Sequence, residues 1–289
     1  MKSTTGEKWM YAVNYVLLTL IGCAALYPFL YIVSASISPA ELVVTGKVLL
    51  LPKSVTWESY ERVLSEDGIW IAYANTIYYT LAGTLVSVAF TVLGAYPLSK
   101  ARLMGRSFIS FFIAFTMLFN AGIIPFYLNI RDLGLLDTRA AIIFAFAVST
   151  WLVIMLRTFF QSIPVEMEEA AKIDGATDGE ILWKVYLPLS APALATISLF
   201  YAVSRWNGYF WAMVLLQDES KIPLQVLLQK LVVQMRPSET MIATSDAAVV
   251  SSETVIYATI IVSILPIVAV YPFIQKYFVK GVMIGSVKG

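Results

Sequence analysis

The chain has 289 residues, 59% of them hydrophobic and 13% charged, with a formal net charge of +1. Soluble domains carry about a quarter charged residues, so this composition belongs to a membrane protein, and the near-neutral charge gives no sign of a nucleic-acid partner. There is no histidine and one cysteine, Cys23, which excludes imidazole acid–base catalysis, serine–histidine triads, imidazole or thiolate metal sites and an intrachain disulfide.

In chain order, six stretches lack Asp, Glu, Lys and Arg: 9–40, 68–99, 107–130, 140–156, 185–204 and 254–275. A helix needs about 20 residues to cross a hydrocarbon core about 30 Å thick. The fourth stretch is short, but Arg139 and Arg157 flank it and can snorkel to the interfaces. The pattern predicts an all-α membrane protein with six transmembrane helices. The first stretch is too long for the apolar region of a signal peptide and lacks a small-residue cleavage site.

Lys2 and Lys8 precede the first span; Lys100, Arg102 and Arg106 follow the second; Lys276, Lys280 and Lys288 follow the last. None of the latter two groups contains an acid, whereas segment 41–67 has more acids than bases. The positive-inside rule then puts both termini and segment 166–188 in the cytoplasm, with 41–67 and 205–253 outside.

Segment 166–188, EMEEAAKIDGATDGEILWKVYLP, is the most charged portion of an otherwise apolar region. Pro164 suits a helix start. Glu166, Glu168 and Glu169 suit the positive end of the helix dipole, and Gly175 lies where a left-handed cap would end that helix. Thr177 to Glu180 forms a capping-box pattern for a second helix, which Pro188 is expected to end. The small and apolar faces of this hairpin suit docking on another protein, although a solvated loop would satisfy the same local signals.

The spacing Glu169-Ala170-Ala171, Gly175, Val185, Leu187-Pro188 resembles the EAA loop of binding-protein-dependent ABC transporter permeases, where Ile is commoner at the position of Val185. Further similarity lies in GIIPFYLNIRDLGLLDT at 122–138, WNGYFW at 206–211 and KYFVKGVMIGSVKG at 276–289, the last resembling the smaller permease of the maltose-type carbohydrate-uptake family. The resemblance implies a type I ABC importer permease fold in a bacterial cytoplasmic (inner) membrane. It implies an N-terminal segment, residues 1–71, holding the first span and an external loop, a permease core 72–275 with coupling loop 162–188, and a cytoplasmic tail 276–289. In that family the loop docks on an ATP-binding subunit. The implied partners are a second permease, two ATP-binding subunits, an external solute-binding protein, a sugar substrate and the bilayer. ATP and magnesium are expected in the partner subunits, with no cofactor or metal in this chain.

No G-x-x-x-x-G-K-[ST] loop occurs, so the chain is expected to be a transport subunit and no ATPase. No acid lies within an apolar stretch to couple protons, which weighs against a stand-alone secondary transporter or channel. The absence of paired intramembrane aspartates weighs against an intramembrane protease. For the substrate path the candidates are Arg205, Trp206, Asn207, Tyr209 and Trp211: aromatic faces stack on sugar rings, amides bond hydroxyls, and Arg205 suggests an acidic sugar. An aromatic belt at the membrane interface accounts for the same residues.

Overall fold

The structure, a computed structural model, describes residues 5–119, 121–234 and 253–269. Lys2 and the basic tail 276–289 lie outside the described residues. Among the described residues every regular element is a helix. They group into two compact units, 5–70 with 228–234 and 253–266, and 71–119 with 121–227 and 267–269.

In the first unit, α1 (Thr5–Ser36) runs unbroken through Pro28 and exposes apolar residues on every side. Such a surface is stable only against lipid or another apolar surface. Ala35, Val43 on α2 (Ala40–Val44) and Val48 form a small core with Tyr31 and Tyr257. α3 (Glu58–Ser65) follows, with Tyr60 Oη 2.9 Å from Ser36 Oγ.

The second unit is organised on α4 (Asp67–Ser99). Only α1 and α4 are by themselves long and apolar enough to cross a membrane, among the described residues. The third and fourth apolar stretches do not form single helices. The third splits into α5 (Arg106–Phe115) and α6 (Ile123–Asp132), and the fourth into α7 (Arg139–Phe144) and α8 (Thr150–Gln161). Hydropathy reports burial, which a broken helix satisfies as well as a straight one. Gly122 has φ +87°, and Pro125 lacks an N–H at the third position of α6, so both suit a restart there.

The charged hairpin forms as its local signals require. α9 (Val165–Ile173) ends in a Schellman turn: Ala176 N–H donates to Ala171 O at 2.9 Å, and Gly175 N–H to Lys172 O at 3.0 Å. Gly175 has φ +79°, where a side chain is strained. Thr177 then caps α10 (Asp178–Ile181) in a complete capping box with Glu180. Pro188 does not end this helix. The chain widens into a π turn at Leu182–Tyr186, continues as α11 (Leu187–Leu189) and turns by 83° at Ser190 into α12 (Ala191–Asn207). A proline ring collides with the carbonyl four residues earlier; the wider π turn accommodates that contact, and the chain bends afterwards.

α13 (Phe210–Leu215), a 3₁₀ turn at Glu219–Lys221 and α14 (Leu224–Gln234) follow, and a last apolar helix, α15, covers Glu253–Ala269. One core of the second unit joins α4, α8, α10 and α12 through Leu156, Phe160, Ile181, Tyr186 and Ile197. Another joins Tyr79, Ile130, Ile142, Leu215 and Val226.

Gly175→Val should cost about 1–2 kcal/mol at the left-handed position and loosen the turn between α9 and α10. Hydrogen exchange at residues 174–180 should accelerate while α4 stays protected; unchanged exchange there would contradict the reading of this turn as a fixed joint.

Candidate functional site

α9 and α10 are tied to the end of α4 by a buried charge cluster. Glu168 points inward from α9 and is 6% exposed; Lys100, just past α4, is 8% exposed. Lys100 Nζ donates to Glu168 Oε2 at 2.5 Å, and Tyr186 Oη donates to the same oxygen at 2.9 Å. Lys172, one turn further along α9, donates to Oε1 at 2.6 Å. The ammonium of Lys100 also lies 3.6 Å from the Tyr186 ring centre and 4.3 Å from that of Tyr96, a cation–π cage that lowers the cost of burying the charge. Arg102 pairs with Asp178 at the start of α10, where Tyr96 Oη donates to the Asp178 carbonyl at 3.2 Å.

Burial pushes the Glu168 carboxyl up, but the hydrogen bonds from Lys100, Lys172 and Tyr186 outweigh it and hold the group at about 2, against 4.5 for a free glutamate. A carboxyl held down in this way stabilises the fold fully above about pH 5, and that contribution is lost as pH falls through the window from 4.5 toward 2.

Around this cluster the hairpin residues singled out from sequence divide. Glu169 and Ala170 face outward. Ala171, Gly175 and Val185 line one groove of about 280 Å³ between α9 and the α10–π segment. Leu187 packs on the core and Pro188 is exposed. Ile173 stands at the end of α9 with 87% of its surface exposed, a bare apolar tip beside Gly175. Sequence reasoning did not single it out, nor Glu168, Lys100 or Tyr186 as partners. The Glu168–Lys172 spacing of four residues was the available signal for one of these pairs.

The substrate-path candidates also separate. Arg205 lies on α12 with its guanidinium against the break between α7 and α8. It donates to the carbonyl of Ile142, to Ile143 O at 3.0 Å, to Phe146 O at 2.8 Å and to Ser87 Oγ at 3.2 Å. Tyr201, one turn earlier, accepts the Ser149 N–H at 3.0 Å and meets Thr91 Oγ1 at 2.7 Å. Irregular backbone in an apolar setting is tolerated only where the protein itself satisfies it, and Arg205 and Tyr201 do so here. Gly83 provides the room on α4, since a Cβ there would sit 3.0 Å from Arg205 Nε. Nη1 and Nη2 of Arg205 are thus engaged with the protein, which gives this residue a role within the fold that needs no anionic solute.

Trp206 is buried edge-to-face on Tyr73. Asn207 and Tyr209 are exposed. Trp211 packs with Phe126 at 4.5 Å and Phe146 at 5.6 Å between ring centres, and Phe146 itself belongs to the break that Arg205 holds.

Helices with lipid-compatible surfaces, a break sealed by internal donors and a charged hairpin clamped to a long apolar helix define a helical integral membrane protein. Residues 68–284 match the family described as binding-protein-dependent transport system inner membrane component, and the chain belongs to that family. It is 41% identical over 276 residues, 95% of this chain and 96% of the relative, to the polygalacturonan/rhamnogalacturonan transport system permease protein YtcP of Bacillus subtilis (strain 168). It is 38% identical to Protein LplC of the same organism, over all of this chain and 98% of the relative. Among solved structures it resembles a chain of a bacterial ABC transporter involved in the import of the acidic polysaccharide alginate. That match has a TM-score of 0.90 and 50% identity and covers 96% of this chain and 99% of that one. The protein is therefore an inner-membrane permease component of a transport system.

Two outcomes follow from the geometry. Glu168→Gln should leave Lys100 buried without its counter-charge and cost about 3–5 kcal/mol, read as a lower thermal midpoint in detergent; a midpoint equal to wild type would contradict the clamp. Arg205→Leu should strand three carbonyls at about 1–3 kcal/mol each, so that less monodisperse protein is recovered, with Arg205→Lys intermediate. An Arg205→Leu protein as stable as wild type would return Arg205 to the solute-facing candidates.

Proposed function

We propose that this chain is one permease subunit of an ATP-driven importer of acidic oligosaccharides, working with a second permease, two ATP-binding subunits and an external solute-binding protein. In this reading the chain crosses the membrane six times with both termini in the cytoplasm, the broken pairs α5–α6 and α7–α8 each serving as one crossing. The family membership carries the proposal, since its name already states dependence on a binding protein. The acidic class of substrate rests on relatives, one named for galacturonans and one described as importing an acidic polysaccharide.

ATP and magnesium belong to the partner subunits in this scheme. Glu169, Ala170, Ala171, Gly175, Val185, Leu187 and Pro188 form the contact with the ATP-binding subunit: Glu169, Ala170 and the Ile173 tip enter its cleft, and Leu187 and Pro188 join the hairpin to α12. Glu168 and Lys100 carry the resulting force, because a hairpin clamped to the end of α4 moves with that helix. Coupling of this kind needs contacts that differ between the two states of the assembly. Asn207, Tyr209 and Trp211 are the residues offered to the solute, with Trp206 and Arg205 supporting them from behind.

Ile173→Asp places a charge on the bare tip without touching the buried clamp. In the co-expressed assembly we expect the ATP-binding subunits to be lost on purification, or ATPase stimulation by loaded binding protein to fall at least tenfold, about 1.4 kcal/mol of coupling. Retained subunits together with full stimulation would refute the docking role. Uptake of labelled galacturonate oligomers, set against neutral oligomers of equal length, tests the substrate class.

A further inference from the structure

Four basic residues gather where α4, α5 and α8 end together. Lys100 and Arg102 face Glu168 and Asp178. Arg106 and Arg157 do not share in this pairing. Both line a cavity of about 700 Å³ with Leu103, Gly105, Ser107 and Phe108, and no acid lines it. Among the described residues neither guanidinium meets a carboxylate, and Arg157 Nε is buried with no acceptor. Two like charges facing one cavity repel, and a buried donor without an acceptor is destabilising. An anion between them removes both costs.

Three further observations indicate which anion. Arg106 opens α5, a ten-residue helix whose N-cap is Gly105, so the first turn has no side-chain acceptor. α5 buries none of its residues, and Phe108, Phe111 and Phe112 project from it, 60% or more exposed. The cavity therefore has a cationic head and an apolar wall running away from it, which is the outline of a phospholipid. A guanidinium pair grips phosphate oxygens through several parallel N–H donors, and basic pockets between membrane helices are suited to anionic headgroups.

We propose that Arg106 and Arg157 bind the phosphate of an anionic phospholipid, with its acyl chains along the phenylalanine face of α5. This rests on the orientation given under Proposed function, which puts the pocket at the cytoplasmic leaflet. The bound lipid occupies the seam between α5 and α8 and stabilises the base of the permease beside the hairpin clamp.

The test uses the full-length chain, re-lipidated with equal mole fractions of phosphatidylglycerol and phosphatidylethanolamine and measured by native mass spectrometry. Wild type should retain phosphatidylglycerol over phosphatidylethanolamine by roughly tenfold. The Arg106→Gln/Arg157→Gln protein should show a ratio near one while eluting as the same monodisperse species. The Arg106→Lys/Arg157→Lys protein, which keeps the charge, should keep most of the preference. Equal retention in wild type and the Gln variant would overturn the proposal. Displacement of bound phosphatidylglycerol by low-millimolar inorganic phosphate would assign the pocket to a free phosphate and overturn the lipid. Loss of the ATP-binding subunit from the Gln variant when the whole assembly is co-expressed and purified, with lipid preference unchanged, would assign the arginines to a partner's acids and also overturn it. The readout is lipid retention, so it stands or falls separately from transport.

Discussion

The carboxylate of Glu168 is the point through which the hairpin is fixed. It accepts from Lys100 at the end of α4, from Lys172 on its own helix and from Tyr186 in the π turn. One side chain therefore joins three elements, reaching Lys100 68 residues before it and Tyr186 18 residues after it in the chain. A buried ion pair is not by itself a source of great stability, because desolvation opposes the Coulomb attraction. Its value lies in geometry: donors from α4's end, from α9 and from the π turn converge on one carboxylate, and that pairing ties the hairpin to the end of α4.

The same rule governs the interior of the second unit. The α7–α8 break leaves backbone carbonyls and an N–H in an apolar setting, where they need partners from the protein. At the α7–α8 break α12 supplies the donors of Arg205 and the acceptor of Tyr201, and Ser87 and Thr91 on α4 bond those two side chains in turn. An arginine in an apolar span looks like a ligand for an anion when only its neighbours in sequence are visible. Here it acts as the donor set for a broken helix. The solute path proposed above then rests on the exposed Asn207 and Tyr209 and on the aromatic group of Trp211 with Phe126 and Phe146.

Membership of a binding-protein-dependent transport family agrees with this division of labour. In the scheme proposed above, the permease receives movement from an ATP-binding subunit and must pass it to its spans without dissipating it in soft joints. The α9–α10 turn has the required stiffness: a Schellman turn, a left-handed glycine and a capping box follow one another in quick succession. The bare Ile173 tip beside them is costly in water and favourable in an apolar cleft.

What the sequence determined by itself was composition and local geometry. Charge-free stretches established a membrane protein, and the spacing around Gly175 and Thr177 established the hairpin, since caps and turns depend on contacts between residues close together in the chain. The EAA-like spacing pointed to the family in the same way. What only the tertiary structure decided was which glutamate turns inward, what Arg205 bonds, that the chain runs on through Pro188 and bends after it, and that three apolar stretches are broken. Each of these depends on partners distant in sequence or on backbone that a hydropathy pattern cannot register, because burial is compatible with a straight helix and a kinked one alike.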